Sequence, residues 1–268
     1  MDIMNDFSAA EFDRLDDLLA FVSIYDDDNR TQAYFNLLDK NVKNIRDKVC
    51  VEAGCGFGIL AEHLAQLGAK KVYAVEANQH LYDIAAHRLS SYRNVELVCA
   101  DIRDFSPREP VHLLVHEFFG QLLLDEDIYV LDQLTFVPKV ILPNQARLNI
   151  SVLPASEFVD ACVTQIVLEK LKGALVAGLF DANNVQPEQL ILTWQPGLKT
   201  YQTIVDIHDS PGDVLCFGLE IYHDDSFVCR AGECDNWSLV WTPRAGDQFL
   251  LKFTPANRGT FVQFRWLK

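Results

Sequence analysis

The segment Val51-Glu52-Ala53-Gly54-Cys55-Gly56-Phe57-Gly58, with Val72-Tyr73-Ala74-Val75-Glu76 after it, constrains the fold more than any other part of the chain. An apolar strand runs into a glycine-rich turn, a helix follows, and a second strand ends on an acid. A turn without Cβ atoms bends tightly and lets a ligand approach the backbone closely. This succession predicts a doubly wound sheet holding a nucleoside, with Glu76 placed to accept hydrogen bonds from both ribose hydroxyls.

The glycine spacing separates two cofactor classes. A dinucleotide site uses Gly-x-Gly-x-x-Gly, which seats a pyrophosphate on the helix N-terminus. Here the turn reads Glu-x-Gly-x-Gly-x-Gly, with Glu52 two residues before Gly54 and Gly56 beyond it. An anion at that point repels a pyrophosphate but suits a cationic amino-acid group. S-adenosylmethionine (S-adenosyl-L-methionine) carries such a group and no phosphate, so it is the expected cofactor. A nicotinamide dinucleotide is the second reading. Asp101 follows the third predicted strand at the same edge. It, or the backbone at Ile102, is expected to meet the adenine, and a solvated turn acid fits the position nearly as well.

Bulk properties narrow the partners. The chain has 268 residues, enough to bury a real core as one large domain or two modest ones. Its formal charge of -15 argues against a nucleic-acid backbone and suits a cationic substrate. The seven cysteines show no paired or metal-like spacing and read as buried thiols in a reducing compartment. No leading apolar stretch resembles a signal peptide, and none is long enough to span a membrane. A soluble cytoplasmic protein is expected.

Along the chain, Phe12, Leu15, Leu18, Leu19 and Phe21 form an apolar stripe on a first helix, which Asp26-Asp27-Asp28-Asn29 breaks. Asp28 or Asn29 is expected to cap a second helix through Arg30 to Leu38. Strand and helix then alternate through Val111 to Val115, which predicts a mostly parallel sheet. After Pro143 the pattern changes to alternating strands separated by Gly and Pro loops, among them Asn257-Arg258-Gly259. Trp237 to Trp241, Phe249 to Phe253 and Val262 to Trp266 read as strands. The expected architecture is therefore an α/β, Rossmann-like sheet over residues 1–143, with N-terminal helices. An antiparallel, β-barrel-like domain for the substrate follows over 144–268, with a short arm near 163–187.

The fourth strand runs into Glu117-Phe118-Phe119-Gly120-Gln121-Leu122-Leu123-Leu124-Asp125-Glu126. Ligands bind at the carboxyl ends of the strands in such sheets, so Glu117 begins at the cofactor crevice. Gly120 lets the chain turn and bring Glu126 back towards Glu117. Two carboxylates facing a pocket can grip a guanidinium, whose five donors form a planar fork. The competing reading makes Asp125, Glu126 and Asp127 ordinary acids at a helix N-terminus, favoured by its dipole. Residue chemistry alone divides these two evenly.

The same residues resemble the protein arginine methyltransferase family. That family has two glutamates nine positions apart around an aromatic pair and a glycine, as Glu117, Phe118-Phe119-Gly120 and Glu126 do. Arg30-Thr31 with Tyr34 is similar to its arginine-threonine-x-x-tyrosine helix, and Gly54, Gly56 and Glu76 match its nucleoside positions. Leu142-Pro143-Asn144-Gln145-Ala146 resembles the crossover into its barrel. The resemblance implies methyl transfer from S-adenosylmethionine to a guanidino nitrogen of arginine, in a peptide, protein or small molecule. It implies Arg30 on the cofactor carboxylate, Glu117 and Glu126 as the catalytic clamp, and Trp237 beside the substrate. It is specific from Arg30 to about Ile150. Where the family has a tyrosine-rich helix closing the site, Leu15 to Ile24 contains no tyrosine. Where it has a threonine-histidine-tryptophan turn, Cys234-Asp235-Asn236-Trp237 keeps only the tryptophan. A monomer or weak homodimer is expected from the short arm, and the departures leave a non-catalytic partner subunit as the alternative. His63, His80, His87 and His208 show no metal-ligand pairing, and no phosphate-loop or nucleophile-elbow motif occurs.

Overall fold

A computed structural model describes residues 8–157, 163–178, 185–198, 200–234, 236–256 and 259–267. Asp235, the Asn257-Arg258 turn and residues 179–184 of the expected arm lie outside the described residues. The chain packs as two units. One comprises residues 1–117 with 134–142, the other 118–133 with 143–268.

The first unit opens with α1 (Ala9–Asp26), held at its start by a reciprocal capping box between Ser8 and Glu11. Asp27 then caps α2 (Asp28–Lys40) by accepting from the Arg30 N–H at 2.9 Å, rather than Asp28 or Asn29. Arg30, Tyr34, Leu37 and Leu38 make the buried face of α2, at the spacing of one helical stripe. After α3 (Val42–Ile45) come β1 (Val49–Ala53), α4 (Ile59–Gln66), β2 (Lys71–Glu76), α5 (Gln79–Leu89), β3 (Val95–Cys99), β4 (Leu113–His116) and β5 (Val140–Leu142). The five strands lie in the order β3-β2-β1-β4-β5 and every pairing is parallel. The expected α/β sheet is present. β1 is buried throughout, which explains its unbroken apolar character. The strand order reverses between β1 and β4, and the space beyond their carboxyl ends is where such sheets receive a ligand.

The second unit begins with residues 118–133, whose last six form a 3-10 turn, Ile128–Gln133. It continues with β6 (Gln145–Leu153), α6 (Gln165–Leu171), β7 (Val176–Ala177), β8 (Gln189–Trp194), β9 (Tyr201–Asp206), β10 (Val214–His223), β11 (Ser226–Arg230), β12 (Val240–Pro243), β13 (Gln248–Pro255) and β14 (Thr260–Leu267). One sheet has the order β7-β12-β10-β6-β8, with β11 also on β10, and a second has the order β14-β13-β9. All their ladders are antiparallel. Phe217 of β10 meets Phe249 of β13 edge-on at 5.7 Å, so the two sheets share a core.

Two expectations are corrected here, and the described part of a third region is placed. The expected strand Trp237 to Trp241 begins only at Val240, because the Trp237 N–H bonds to the Cys234 carbonyl and closes a turn. The described part of the expected arm folds onto its own unit. Leu168 of α6 is buried with Val214, Cys216 and Trp241, and β7 pairs with β12. Nor are all the cysteines free thiols, since Cys229 and Cys234 form a disulfide. Their sequence spacing gave no sign of it; the turn that follows β11 folds back and brings the two together. Cys50, Cys55 and Cys99 are free. No helix among the described residues is long and apolar enough to cross a membrane.

Candidate functional site

The glycine turn after β1 is built for close approach. Gly54, Gly56 and Gly58 have φ of 68°, 52° and 77°, a region that side chains rarely adopt. Gly58 adds a packing reason: a Cβ there would press on Leu89 of α5. Glu76 ends β2 buried and clamps the turn. One carboxylate oxygen accepts from the Gly56 N–H and the other from the Asn78 N–H, both at 2.8 Å. Glu52 reaches forward from β1 and accepts from the Ala61 N–H at 2.7 Å, in the first turn of α4.

A cavity opens at the switch point. Its lining includes Tyr25 and Ile24 from α1, Arg30, Thr31 and Tyr34 from α2, Glu52 and Gly54 from β1 and its turn, and His116 and Glu117 from the end of β4. Arg30 donates from Nε to the Glu117 carboxylate, and both side chains are largely buried, 7% and 20% exposed. Burial pushes the Glu117 carboxyl above its ordinary range, and Arg30 pulls it back part of the way. Burial raises Glu52 much further, with the nearby charges of Glu117 and Glu76 adding to the effect.

The cavity therefore gathers Arg30, Glu52, Gly54 and Glu117, residues chosen from sequence at widely separated positions. Gly56 and Glu76 are joined to each other in the adjoining turn. Asp101 and Ile102 lie past the end of β3 and are not among the lining residues. The Asp101 carboxylate takes the Arg103 guanidinium, through Nε at 2.9 Å and Nη2 at 2.5 Å, and Ile102 is buried. Tyr25 is a site residue that sequence reading missed, because the tyrosine-free stretch was ended at Ile24 and α1 runs on to Asp26. The Tyr25 hydroxyl donates to the Cys55 carbonyl at 3.3 Å and accepts from the Phe57 N–H at 3.2 Å. Its ring stacks on Phe57 at 4.8 Å. The continuous helix through Tyr25 was the available signal.

Glu126 and Trp237 belong to the second unit. There the loop after Glu117 is tightly made. The Leu123 N–H bonds to the Gly120 carbonyl, and Leu123 takes φ of 75°, a costly value for a branched side chain. Asp125 compensates by accepting from the Leu122 N–H at 2.8 Å, and a Cβ on Gly120 would collide with its carboxylate. Trp237 is buried and donates its indole N–H to the Phe119 carbonyl at 3.0 Å, while Phe119 packs edge-on against Trp194. Trp237 thus braces the loop. Glu126 is exposed, and its carbonyl accepts from the Thr260 hydroxyl.

The state of Glu52 gives a prediction. Because its proton is held more tightly in the folded chain, that chain retains a proton which the unfolded chain releases. Stability should fall as pH rises upward from about 4.5, the ordinary glutamate value. Glu52→Gln is expected to flatten this slope and stabilise the ligand-free protein at pH 8 by on the order of 1–3 kcal/mol. Urea unfolding at several pH values checks it. An unchanged slope would show that Glu52 is not held protonated.

Comparison with known proteins follows this geometry. A family model described as a methyltransferase domain matches residues 50–132. Protein arginine N-methyltransferase 2 of Dictyostelium discoideum is 31% identical over 146 residues, covering 52% of this chain and 28% of that protein. Protein arginine N-methyltransferase 6 of Danio rerio is 32% identical over 148 residues, covering 52% and 42%. Over about half its length the chain is similar to these protein arginine N-methyltransferases. It spans less than half the length of these curated relatives. Among solved structures, PRMT6 aligns at a TM-score of 0.71 with 13% identity, covering 93% of this chain and 99% of that one. The Trypanosoma brucei PRMT1 enzyme–prozyme complex with AdoHcy aligns at 0.64 with 15% identity, covering 92% and 93%. At these identities the likeness is one of fold.

Proposed function

We propose that this chain binds S-adenosylmethionine and transfers its methyl group to a guanidino nitrogen of arginine, in a peptide, protein or small molecule, as a member of the protein arginine methyltransferase family. The observation that carries the reading is the single cavity lined by Arg30, Glu52, Gly54 and Glu117 at the carboxyl ends of β1 and β4. Its donor set suits a zwitterion. Arg30 offers N–H groups to a carboxylate, while Glu52 and Glu117 face an ammonium or a guanidinium. Among the relatives, a PRMT6 structure is named with SAH and the Trypanosoma brucei complex with AdoHcy, which supports the cofactor class.

When bound, the cofactor supplies an electrophilic sulfonium methyl. The chain's residues supply position and charge. Glu76 holds the glycine turn and faces the ribose, and the neighbourhood of Asp101 and Ile102 takes the adenine. Glu117 faces the cavity and would align one guanidino nitrogen for in-line attack, and Glu126 is proposed from the motif as a second carboxylate for the guanidinium. Carboxylates there also offset the repulsion between a cationic methyl donor and a cationic substrate. Trp237 acts by bracing the loop that carries Glu126. The antiparallel sheets of the second unit would serve as a barrel-like substrate platform, and the folded-back arm is consistent with a monomer or weak dimer.

Calorimetric titration with S-adenosylhomocysteine is the first test, and absence of binding by folded protein would remove the reading. Glu76→Ala is expected to weaken that binding, because charge-assisted hydrogen bonds worth about 1.5–3 kcal/mol are lost. Unchanged affinity would exclude Glu76 from the ribose. Labelled cofactor offered with free arginine, guanidino compounds and basic peptides then tests transfer. Binding without transfer to any of them would favour a non-catalytic partner subunit.

A further inference from the structure

Tyr34 sits one helical turn after Arg30 on the buried face of α2, and both line the cavity. The Tyr34 side chain is 1% exposed, yet its hydroxyl has no hydrogen-bond partner. Buried hydroxyls are normally satisfied, and an orphan at a binding cavity calls for a ligand atom or a water. The surrounding charges choose between acceptors. The hydroxyl is close enough to Glu117 and Arg30 for both to act on its ionisation, but it bonds to neither. Arg30 already gives its Nε–H to Glu117. A carboxylate entering this cavity has two oxygens and about four lone-pair sites, and a planar guanidinium meets it through at most two parallel N–H bonds, which leaves room for a further donor.

We propose that the Tyr34 hydroxyl is a second donor for the carboxylate of the bound amino-acid group, acting beside Arg30 and selecting cofactors that carry that carboxylate. The inference rests on the cofactor reading above and adds a residue to it. Tyr34 is a specificity-determining residue, remote from the transferred methyl. It also explains why a polar group is kept where phenylalanine would fill the same space at lower cost.

The experiment compares wild-type protein with Tyr34→Phe by calorimetry, using S-adenosylmethionine and decarboxylated S-adenosylmethionine as probes. A hydrogen bond to a charged acceptor is worth about a 10- to 150-fold change in affinity. Tyr34→Phe is expected to bind S-adenosylmethionine at least tenfold more weakly and the decarboxylated probe unchanged. Its ligand-free melting temperature should be equal or higher, a sign that a structural hydroxyl would not give. Equal affinity of the two proteins for S-adenosylmethionine overturns the assignment while leaving the cofactor reading intact. So does equal weakening for both probes, which places the effect on the nucleoside or the fold. Failure of wild-type protein to bind either probe removes the cofactor reading, and this inference with it.

Discussion

Glu117→Gln is expected to reduce methyl transfer by about 100- to 1000-fold, the usual consequence of losing one preorganised electrostatic group at a reacting centre. Glutamine keeps the shape and still accepts a hydrogen bond from Arg30, so the cavity and cofactor affinity should persist. What disappears is the negative charge between the two cations that the proposed reaction brings together. In a buried site that charge is weakly screened, because water is largely excluded. Burial raises the Glu117 carboxyl above its ordinary range and Arg30 pulls it back part of the way. A bound guanidinium would add a second cation and favour the carboxylate further. Mass spectrometry of product formed at saturating substrate, with calorimetry on the same preparation, checks both halves. Full turnover in the variant would remove Glu117 from the reaction.

Arg30→Met carries the largest expected effect on stability. It leaves Glu117 as a buried carboxylate without its cation, a change that costs about 3–5 kcal/mol in comparable settings. The loss should depend on pH. Without Arg30 the Glu117 carboxyl is raised further, so the folded chain binds a proton that the unfolded chain has released. The destabilisation is then small near pH 4.5 and grows as pH rises. Adding Glu117→Gln to Arg30→Met removes the stranded charge and should recover most of the loss. Denaturant unfolding of wild type and the three variants at pH 5 and pH 8 forms the cycle. A double variant no more stable than Arg30→Met alone would show that Arg30 acts through packing.

The parallel sheet could be read from sequence because its information is local. β1, the glycine turn and the acid that ends β2 are adjacent, and each residue type has one physical reason to be there. Glu52 and Glu117 were legible from their places near the carboxyl ends of β1 and β4, whereas Arg30 came only from the resemblance of its helix to a known motif. Other features depend on packing that no local pattern records. Asp27, Asp28 and Asn29 are chemically similar caps, and only the entry angle of α2 selects Asp27. The Cys229–Cys234 pairing depends on how the turn after β11 closes. Tyr25 and Tyr34 sit in legible helices, but their roles emerge only when the glycine turn and Glu117 are brought beside them. Residues 118–133 precede the crossover at Pro143 in sequence, yet they pack with the strands that follow it.

That last arrangement bears on how the protein can be dissected. The chain leaves the first unit at Glu117, spends residues 118–133 with the second, and returns to lay β5 beside β4. A fragment ending at Leu142 would contain every strand of the parallel sheet. It would also carry Phe119 without the Trp194 ring and the Trp237 indole that cover and hold it in the whole chain. The sheet's closing strand is thus delivered by a segment whose own shelter is synthesised later. The order of emergence from the ribosome makes the parallel-sheet unit the first to be drafted, while its connecting loop waits for the C-terminal strands.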